Sequence, residues 1–325
     1  MSYFDSPAFL CHTLQMLTVL EVPLHTLGTY CILFKSPASM KTVKWSLLNL
    51  HFWSAFLDVS LGLLATPLVM FPVIAGIPLG LLTHFGFPPA VQTYLVCSLL
   101  ATVAVAILHI FERRYYVLFG RTTRWRYCRV PFLLLNYTFT FVYFIPSCLH
   151  IPDQASARII VLQILENISS EMIQEPNEIF VLTLEAENTV IPATAITLFI
   201  VGELIVFKYL LEKGLRRQVQ TMKLSGRSYR LHKKFLKVIK IQILIPALIL
   251  LVPLFYTASA MLFNYYNQAL NNVVIIILSA HGLASTITML LIQTDYREFV
   301  MRRRSRANKR SVPFPVVVDS QKLKA

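Results

Sequence analysis

The sequence predicts an all-α membrane protein, a bundle of seven transmembrane helices with an extracellular N-terminus and a cytoplasmic C-terminus. Three observations predict this fold. Hydrophobic residues make up 56% of the 325 residues and charged residues only 14%, whereas about 25% of an average soluble domain is charged. Seven apolar stretches are each long enough to cross a bilayer. Nearly all of the positive charge lies in alternate connections between them.

The apolar stretches divide the chain into three regions. An α-helix rises 1.5 Å per residue, so about 20 apolar residues span the hydrocarbon core. We expect a short extracellular N-terminus at 1–10, a seven-transmembrane domain at 11–293 and a basic cytoplasmic tail at 294–325. Prolines such as Pro67 fall inside several spans, and membrane helices tolerate them when neighbours satisfy the freed carbonyls. The seven predicted spans are approximately 11–34, 46–72, 92–119, 131–150, 190–212, 238–262 and 271–293.

The positive charges predict the orientation of the bundle. The chain carries 30 lysines and arginines against 16 acidic residues. All of the basic residues except Arg158 lie in the first, second and third internal loops with the adjoining helix ends, or in the tail. Because cytoplasmic loops accumulate Lys and Arg, this partition places the N-terminus outside and the C-terminus inside. It also explains the basic composition without a nucleic-acid partner.

The longest predicted outer connection, at about 151–189, is acidic and contains the sequon Asn167-Ile168-Ser169. Asn167 is therefore a candidate glycosylation site on the side of the membrane where that reaction occurs. Cys97 and Cys148 both fall near outer helix ends, which makes them a candidate disulfide in an oxidising compartment. The cysteines show no CxxC pair or Cys/His cluster with metal spacing, so no metal site or cofactor is predicted.

Enzymatic activity is disfavoured by length and by motif. A transmembrane domain of this size leaves no room for a separate catalytic domain of about 100–150 residues. The sequence contains no Walker A, HExxH or glycine-rich dinucleotide motif. The predicted class is a membrane protein without catalytic activity.

Glu112-Arg113-Arg114-Tyr115 lies where the third predicted span meets the cytoplasm. One interpretation is an ordinary basic helix end at the lipid headgroups. The other is a conformational latch, in which the acid pairs with an arginine in one arrangement of the bundle and releases it to a cytoplasmic partner in another. Position alone leaves both interpretations open.

Charged residues also fall at the middle of three spans. Glu21, Asp58 and His281 lie at similar depths in the first, second and seventh spans, and His25 follows Glu21 by one helical turn. Ionisable groups at this depth are costly and are hypotheses of function by default. We expect a buried polar cluster that joins the three spans; the alternative is that backbone or water satisfies each group separately.

The sequence predicts that the fifth helix continues past the membrane. Leu211, Leu215, Val219 and Met222 recur at helical spacing, with Arg216, Arg217 and Gln218 between them. This pattern predicts a basic amphipathic extension that docks a partner or lies on anionic lipid.

Seven short motifs along the chain form a recognisable set: Val22-Pro23-Leu24-His25, Lys35-Ser36-Pro37, Leu50 to Ala55 with Asp58, Ala75 to Gly80, Glu112 with Arg114 and Tyr115, Ser279 with His281-Gly282 and Ser285-Thr286, and Tyr296-Arg297. Together they resemble the nematode serpentine receptors of class H, a chemoreceptor branch of the G-protein-coupled receptors. The resemblance covers nearly the whole chain, and it departs from the family pattern at Asp295, where proline is usual.

The resemblance implies a receptor that detects an external chemical and couples to a heterotrimeric G protein through Glu112, Arg114 and Tyr115. It also implies a multi-pass protein of the plasma membrane, expected in sensory-neuron cilia. The residues themselves leave one other class open. A transporter or ligand-gated channel would use Glu21, Asp58 and His281 as an ion or proton path.

Overall fold

The computed structural model describes residues 3–36, 40, 42–168, 178–185, 187–220 and 248–301. Helices dominate these segments, and three short strands accompany them. The helices are α1 (Pro7–Phe34), α2 (Lys44–Val59), α3 (Leu81–His84), α4 (Pro89–Leu118), α5 (Trp125–Val142), α6 (Ile145–Leu149), α7 (Gln154–Ile168), α8 (Glu187–Gln220), α9 (Leu248–Leu262), α10 (Gln268–Ser279), α11 (His281–Ile292) and α12 (Thr294–Val300). The strands are β1 (Pro67–Val69), β2 (Ile74–Pro78) and β3 (Phe180–Thr183).

The described helices agree with a bundle that crosses a membrane. Within the described residues, five helical segments are long and apolar enough to span a bilayer, and α10 with α11 forms a sixth, bent by 40°. The shorter apolar helix α9 begins where the description resumes, so the first part of the span predicted at 238–262 lies outside the described residues. The same holds for most of the third internal loop and for the tail after residue 301.

Capping residues set where two of these helices begin. The Ser6 hydroxyl accepts a hydrogen bond from the Phe9 N–H at 3.1 Å, and Pro7 occupies the first helical position of α1. The Asn267 side chain accepts from the Leu270 N–H at 3.0 Å at the start of α10. Both residues satisfy an N–H that the first helical turn leaves without a partner.

The second helix ends earlier than the sequence predicts. After Val59 the chain makes one π-helical turn, Ser60–Leu64, and then leaves the helix at Thr66 with φ of +40°. The prediction of one span through 46–72 is therefore wrong beyond Leu64. Proline disfavours helical backbone in the residue before it, and Pro67 starts a strand instead of being carried inside a helix.

Helix α4 forms the centre of the bundle. Its side chains Val103, Val105, Ala106 and Leu108 are almost completely buried, and it packs against α2, α5 and α8. By contrast, α5 and α8 expose large apolar side chains on their outer faces, as expected for helices that face lipid. These exposed side chains include Leu134, Leu135, Phe139, Leu198, Phe199, Ile205 and Val206.

A small antiparallel sheet closes one end of the bundle. Its strand order is β1-β2-β3, with Leu68 opposite Ile77 and Ala75 opposite Val181. Helix α7 covers the sheet, and its buried Ala157, Val161 and Leu165 join the same hydrophobic cluster. We call the sheet together with α7 the outer cap, because the predicted orientation puts it outside. The all-α prediction is confirmed for the bundle but missed this sheet.

Candidate functional site

Asp58 is the centre of a buried polar network between α1, α2 and α11. Its Oδ1 accepts a hydrogen bond from the Gly282 N–H at 3.0 Å, and His25 Nε2 lies 3.2 Å from its Oδ2. His281 Nδ1 is 3.9 Å from Oδ1. Asp58 and His281 are fully buried and His25 is 7% exposed. The structure thus brings together three of the four residues of the predicted polar cluster.

Two further side chains complete what we call the Asp58 network. His25 Nδ1 is 3.1 Å from the Thr286 hydroxyl, and His51 Nε2 donates to the His25 carbonyl at 3.0 Å. The His51 ring also approaches Thr286, with Nδ1 at 3.4 Å from its hydroxyl. The sequence analysis did not single out His51 or Thr286. A signal exists for His51, which precedes Asp58 by two helical turns and so shares its helix face.

Glu21 lies in the same region but does not share the hydrogen bonds of the Asp58 network. It is completely buried on α1, one turn before His25, whose ring contacts Asp58. Among the described residues, neither of its carboxylate oxygens has a hydrogen-bond partner. The structure therefore places Glu21 beside the Asp58 network without hydrogen-bonding it into that network.

A helix break positions Asp58. Helix α10 ends at Ser279 and α11 begins at His281, so the first N–H groups of α11 are free of partners within the helix. One of these groups, from Gly282, donates to Asp58. A Cβ at position 282 would overlap the Asp58 carboxylate, so only glycine allows this approach. The positive end of the α11 dipole also favours a carboxylate at this position.

Glu112 anchors a second polar site, at the predicted cytoplasmic end of α4. Its Oε1 accepts from Trp125 Nε1 at 2.9 Å, and Arg129 Nε donates to Oε1 and Oε2 at 2.9 and 3.1 Å. Glu112 is fully buried, and Arg114 is 8% exposed. We call Glu112, Trp125 and Arg129 the inner junction. The ion pair of Glu112 is with Arg129 of α5, the next helix along the chain.

Aromatic side chains extend the inner junction to α8. The centroid of the Phe207 ring lies 5.3 Å from the ring centroid of Trp125, 5.5 Å from that of Phe132 and 5.8 Å from that of Tyr115. All three pairs have edge-to-face geometry. Such pairs each contribute about 0.5–1.5 kcal/mol beyond area burial. Tyr115, the last residue of the sequence motif, therefore serves in this packing of α4 against α8.

The extension of α8 packs against α4. Leu211 and Leu215 are buried against Tyr115, Leu118 and Phe119. The apolar stripe that the sequence identified is thus covered by the protein at these two positions. Of the remaining two positions, the Val219 side chain and all of Met222 lie outside the described part of the chain.

The candidate disulfide is absent from the structure. Cys97 and Cys148 both carry free thiols, although they are near enough to interact electrostatically. The outer connections are attached by hydrogen bonds instead. Gln154 on α7 pairs through its amide with both the N–H and the carbonyl of Val181, each at 3.0 Å, and so extends the edge of β3.

Amide side chains of α10 fasten the outer cap to the bundle. Gln268 donates to the Val69 carbonyl at 3.1 Å, Asn271 to the Phe71 carbonyl at 3.1 Å, and Asn272 to the Phe4 carbonyl at 2.9 Å. Sequence reasoning missed these contacts, because isolated amides carry no motif. The sequon residue Asn167 lies in the last turn of α7, and its side chain lies outside the described atoms.

This bundle has the fold of a seven-helix receptor. It is similar to the crystal structure of squid rhodopsin, with a TM-score of 0.51 and 12% sequence identity over 90% of this chain and 84% of that one. At such low identity the similarity shows the fold alone.

Sequence comparison defines the class further. The model of the family described as "Serpentine type 7TM GPCR chemoreceptor Srh" matches residues 5–305, so the chain belongs to that receptor family. A relative, serpentine receptor class H-72 of Caenorhabditis elegans, is 29% identical over 321 residues, covering 96% of this chain and 89% of that protein. The resemblance read from the motifs is confirmed.

Proposed function

We propose that this receptor detects an external chemical and signals through a heterotrimeric G protein. Membership of a chemoreceptor family supports the proposal. The observation that carries it is the inner junction, where buried Glu112 of α4 holds Arg129 and Trp125 of α5, and Trp125 packs on Phe207 of α8. Three helices thus meet at one charged contact on the predicted cytoplasmic face, which is an arrangement that two conformations can make or break.

The junction gives the signal a physical route. A ligand shifts the bundle only if it binds the signalling arrangement more tightly than the resting one. In the proposed resting arrangement, Arg129 and Trp125 hold Glu112, and Arg114 is buried. Separation of α5 from α4 would expose Arg114 to the G protein, and α8 would carry the movement into the third internal loop.

The experiment measures basal second-messenger output in cells, so that it requires no known ligand. We expect Glu112→Gln and Arg129→Gln to raise basal signalling about five-fold or more, because each removes the charge pair that holds the resting arrangement. Arg126→Gln is the matched control, since Arg126 is exposed and lies one turn before Arg129. Surface expression is measured in parallel, because an unpaired buried charge also destabilises the fold.

The double variant shows whether Glu112 and Arg129 affect basal signalling through one shared contact or independently of each other. If Glu112 and Arg129 act as one contact, the double variant Glu112→Gln/Arg129→Gln should signal like the single variants and not like their product. Arg114→Ala should abolish signalling in every background. Unchanged basal output in both single variants at normal surface expression would contradict the role of the junction.

The transporter or channel alternative has a distinct outcome. In that class Glu21, Asp58 and His281 would form an ion or proton path. Currents or uptake that persist under G-protein inhibition and in Arg114→Ala would favour it and exclude the receptor proposal. We further propose that the protein resides in the plasma membrane of sensory cilia, as its family implies; fluorescent tagging of the chain in a nematode tests this.

A further inference from the structure

Unpartnered polar atoms gather around one contact between α1, the π-helical turn of α2 and the α10–α11 break. Within the described part of the chain, both oxygens of Glu21, both ring nitrogens of His281 and the hydroxyls of Ser60 and Ser279 are buried without a hydrogen-bond partner. Thr18, one turn before Glu21, and Ser279 both lie against Gly62 in this turn. Glu21, Ser60, Ser279 and His281 are each fully buried.

Two acids share this buried region, but only one has groups that stabilise its negative charge. Asp58 receives the Gly282 N–H and lies against His25 and His281. Glu21 receives no such bond among the described residues, and it lies one helical turn from His25, whose ring contacts Asp58. Two neighbouring carboxylates in a low-dielectric interior disfavour a second ionisation.

The neighbouring elements offer Glu21 little further compensation. The other titratable side chains that close contacts place around Asp58 are His25 on α1, His51 on α2 and His281 on α11. Helix α10 and the π-helical turn Ser60–Leu64 contain no titratable residue. No group of three or more His, Cys, Asp or Glu side chains that could hold a metal ion occurs among the described residues.

We propose that this region is a proton-binding site, in which Glu21 carries the proton as a neutral carboxylic acid and Asp58 is the anion. A proton is the simplest ligand for a buried carboxyl group that lies near another carboxylate and has no hydrogen-bond partner within the described part of the chain. The neutral acid also carries one O–H donor, which the ionised carboxylate lacks. This assignment does not depend on signalling through a G protein.

Protonation of Glu21 also affects the helix break between α10 and α11. Ionised Glu21 would add a second buried negative charge within reach of Asp58, next to the point where Ser279 ends α10 and His281 begins α11. That charge would favour any arrangement in which α1 and the break move apart or admit water. The site therefore links proton binding to the geometry of the bent helix.

Infrared spectroscopy of the full chain in lipid nanodiscs tests the proposal directly. A protonated carboxylic acid has a C=O stretch well above the carboxylate bands, and this stretch shifts when hydrogen is exchanged for deuterium. We expect such a band at neutral pH in the unmodified protein and its loss in Glu21→Gln, which preserves size. Glu166→Gln is the matched control, since Glu166 is exposed on α7, and it should leave the band unchanged.

A second variant tests the role of Asp58. Asp58→Asn removes the facing charge, so Glu21 should ionise more readily and its band should weaken at the same pH. Two results would overturn the proposal: a spectrum without a protonated-acid band that Glu21→Gln removes, or a band that sodium ions abolish in a saturable manner, which would identify a cation site. None of these results depends on the signalling assays, so failure here leaves the receptor proposal standing.

Discussion

Gly28 lies at the point where α1 approaches His51 of α2 and Thr286 of α11. A Cβ built at this position would lie 2.7 Å from His51 Cε1 and 2.9 Å from Thr286 Cγ2. His51 cannot simply turn away, because it donates to the His25 carbonyl. The absence of a side chain at one residue therefore sets how closely three helices approach around the Asp58 network.

This close packing predicts that Gly28→Ala destabilises the bundle. Overpacking of a close contact costs about 1–3 kcal/mol, which exceeds the helix-propensity gain of about 1 kcal/mol that alanine brings. We expect a lower melting temperature in detergent. Gly202→Ala is the matched control, because a Cβ there meets nothing within 4 Å on α8. Its melting temperature should stay equal or rise, and a similar loss in both variants would refute the packing argument.

Among the elements, the outer cap shows how an exposed connection is held without a disulfide. Helix α7 contacts the sheet through an apolar stripe and through Gln154, whose amide completes the edge of β3 as a neighbouring strand would. Backbone groups at a sheet edge need such partners, and a side-chain amide supplies one donor and one acceptor.

Gln154 should therefore protect β3 from hydrogen exchange. In Gln154→Ala, the Val181 N–H loses its acceptor, and exchange across 179–183 should accelerate about ten-fold, the equivalent of about 1.4 kcal/mol of lost local stability. Gln163→Ala, on the exposed face of the same helix, is the control and should leave the exchange unchanged. Equal rates in the two variants would show that the apolar stripe alone holds the strand.

The start of α7 has a predicted pH dependence. Asp153 accepts from the Ser156 N–H at 3.0 Å and from its hydroxyl at 2.9 Å, and these bonds lower the pKa of the Asp153 carboxyl below its usual value of 3.8. A lowered folded pKa means that the cap stabilises α7 above the unfolded pKa and loses this effect as the pH falls through the folded value.

We therefore expect Asp153→Ala to loosen the first turn of α7 at neutral pH but to match the parent chain in strong acid. Amide exchange of Ser156 and Ala157, compared between the two proteins at each pH, measures the effect. A difference that persists after the aspartate has been protonated would show that the alanine acts through something other than the lost charge.

For the whole molecule, the basic loops predict one orientation, and two labels test it. An epitope at the N-terminus should bind antibody on intact cells, and one at the C-terminus only after permeabilisation. Asn167→Gln should remove a glycosidase-sensitive mass shift if the connection at 151–189 lies outside. A C-terminal epitope that intact cells expose would reverse the direction of signalling proposed above.

Much of the bundle could be predicted from the sequence, because the features that predict it lie within single segments of the chain. Apolar length predicts spans, and depth along a helix places Glu21, Asp58 and His281 at one level. The same reasoning failed at Pro67, because the composition of an apolar run is the same whether a helix continues through its proline or ends before it. It also failed at the outer sheet, where the pairing partners Ala75 and Val181 are far apart along the chain.

The sequence by itself determined the class of protein and the positions of its buried charges, because hydrophobic length and charge distribution act on each segment separately. Only the tertiary structure decided which groups meet. It joined Glu112 to Arg129 of the next helix, bonded Asp58 to Gly282 at a helix break, and gave the Glu21 carboxylate no hydrogen bond among the described residues. Which groups meet depends on the angles at which helices cross and on the rotation of each helix about its axis. Packing between segments sets both, and no local sequence pattern predicts that packing.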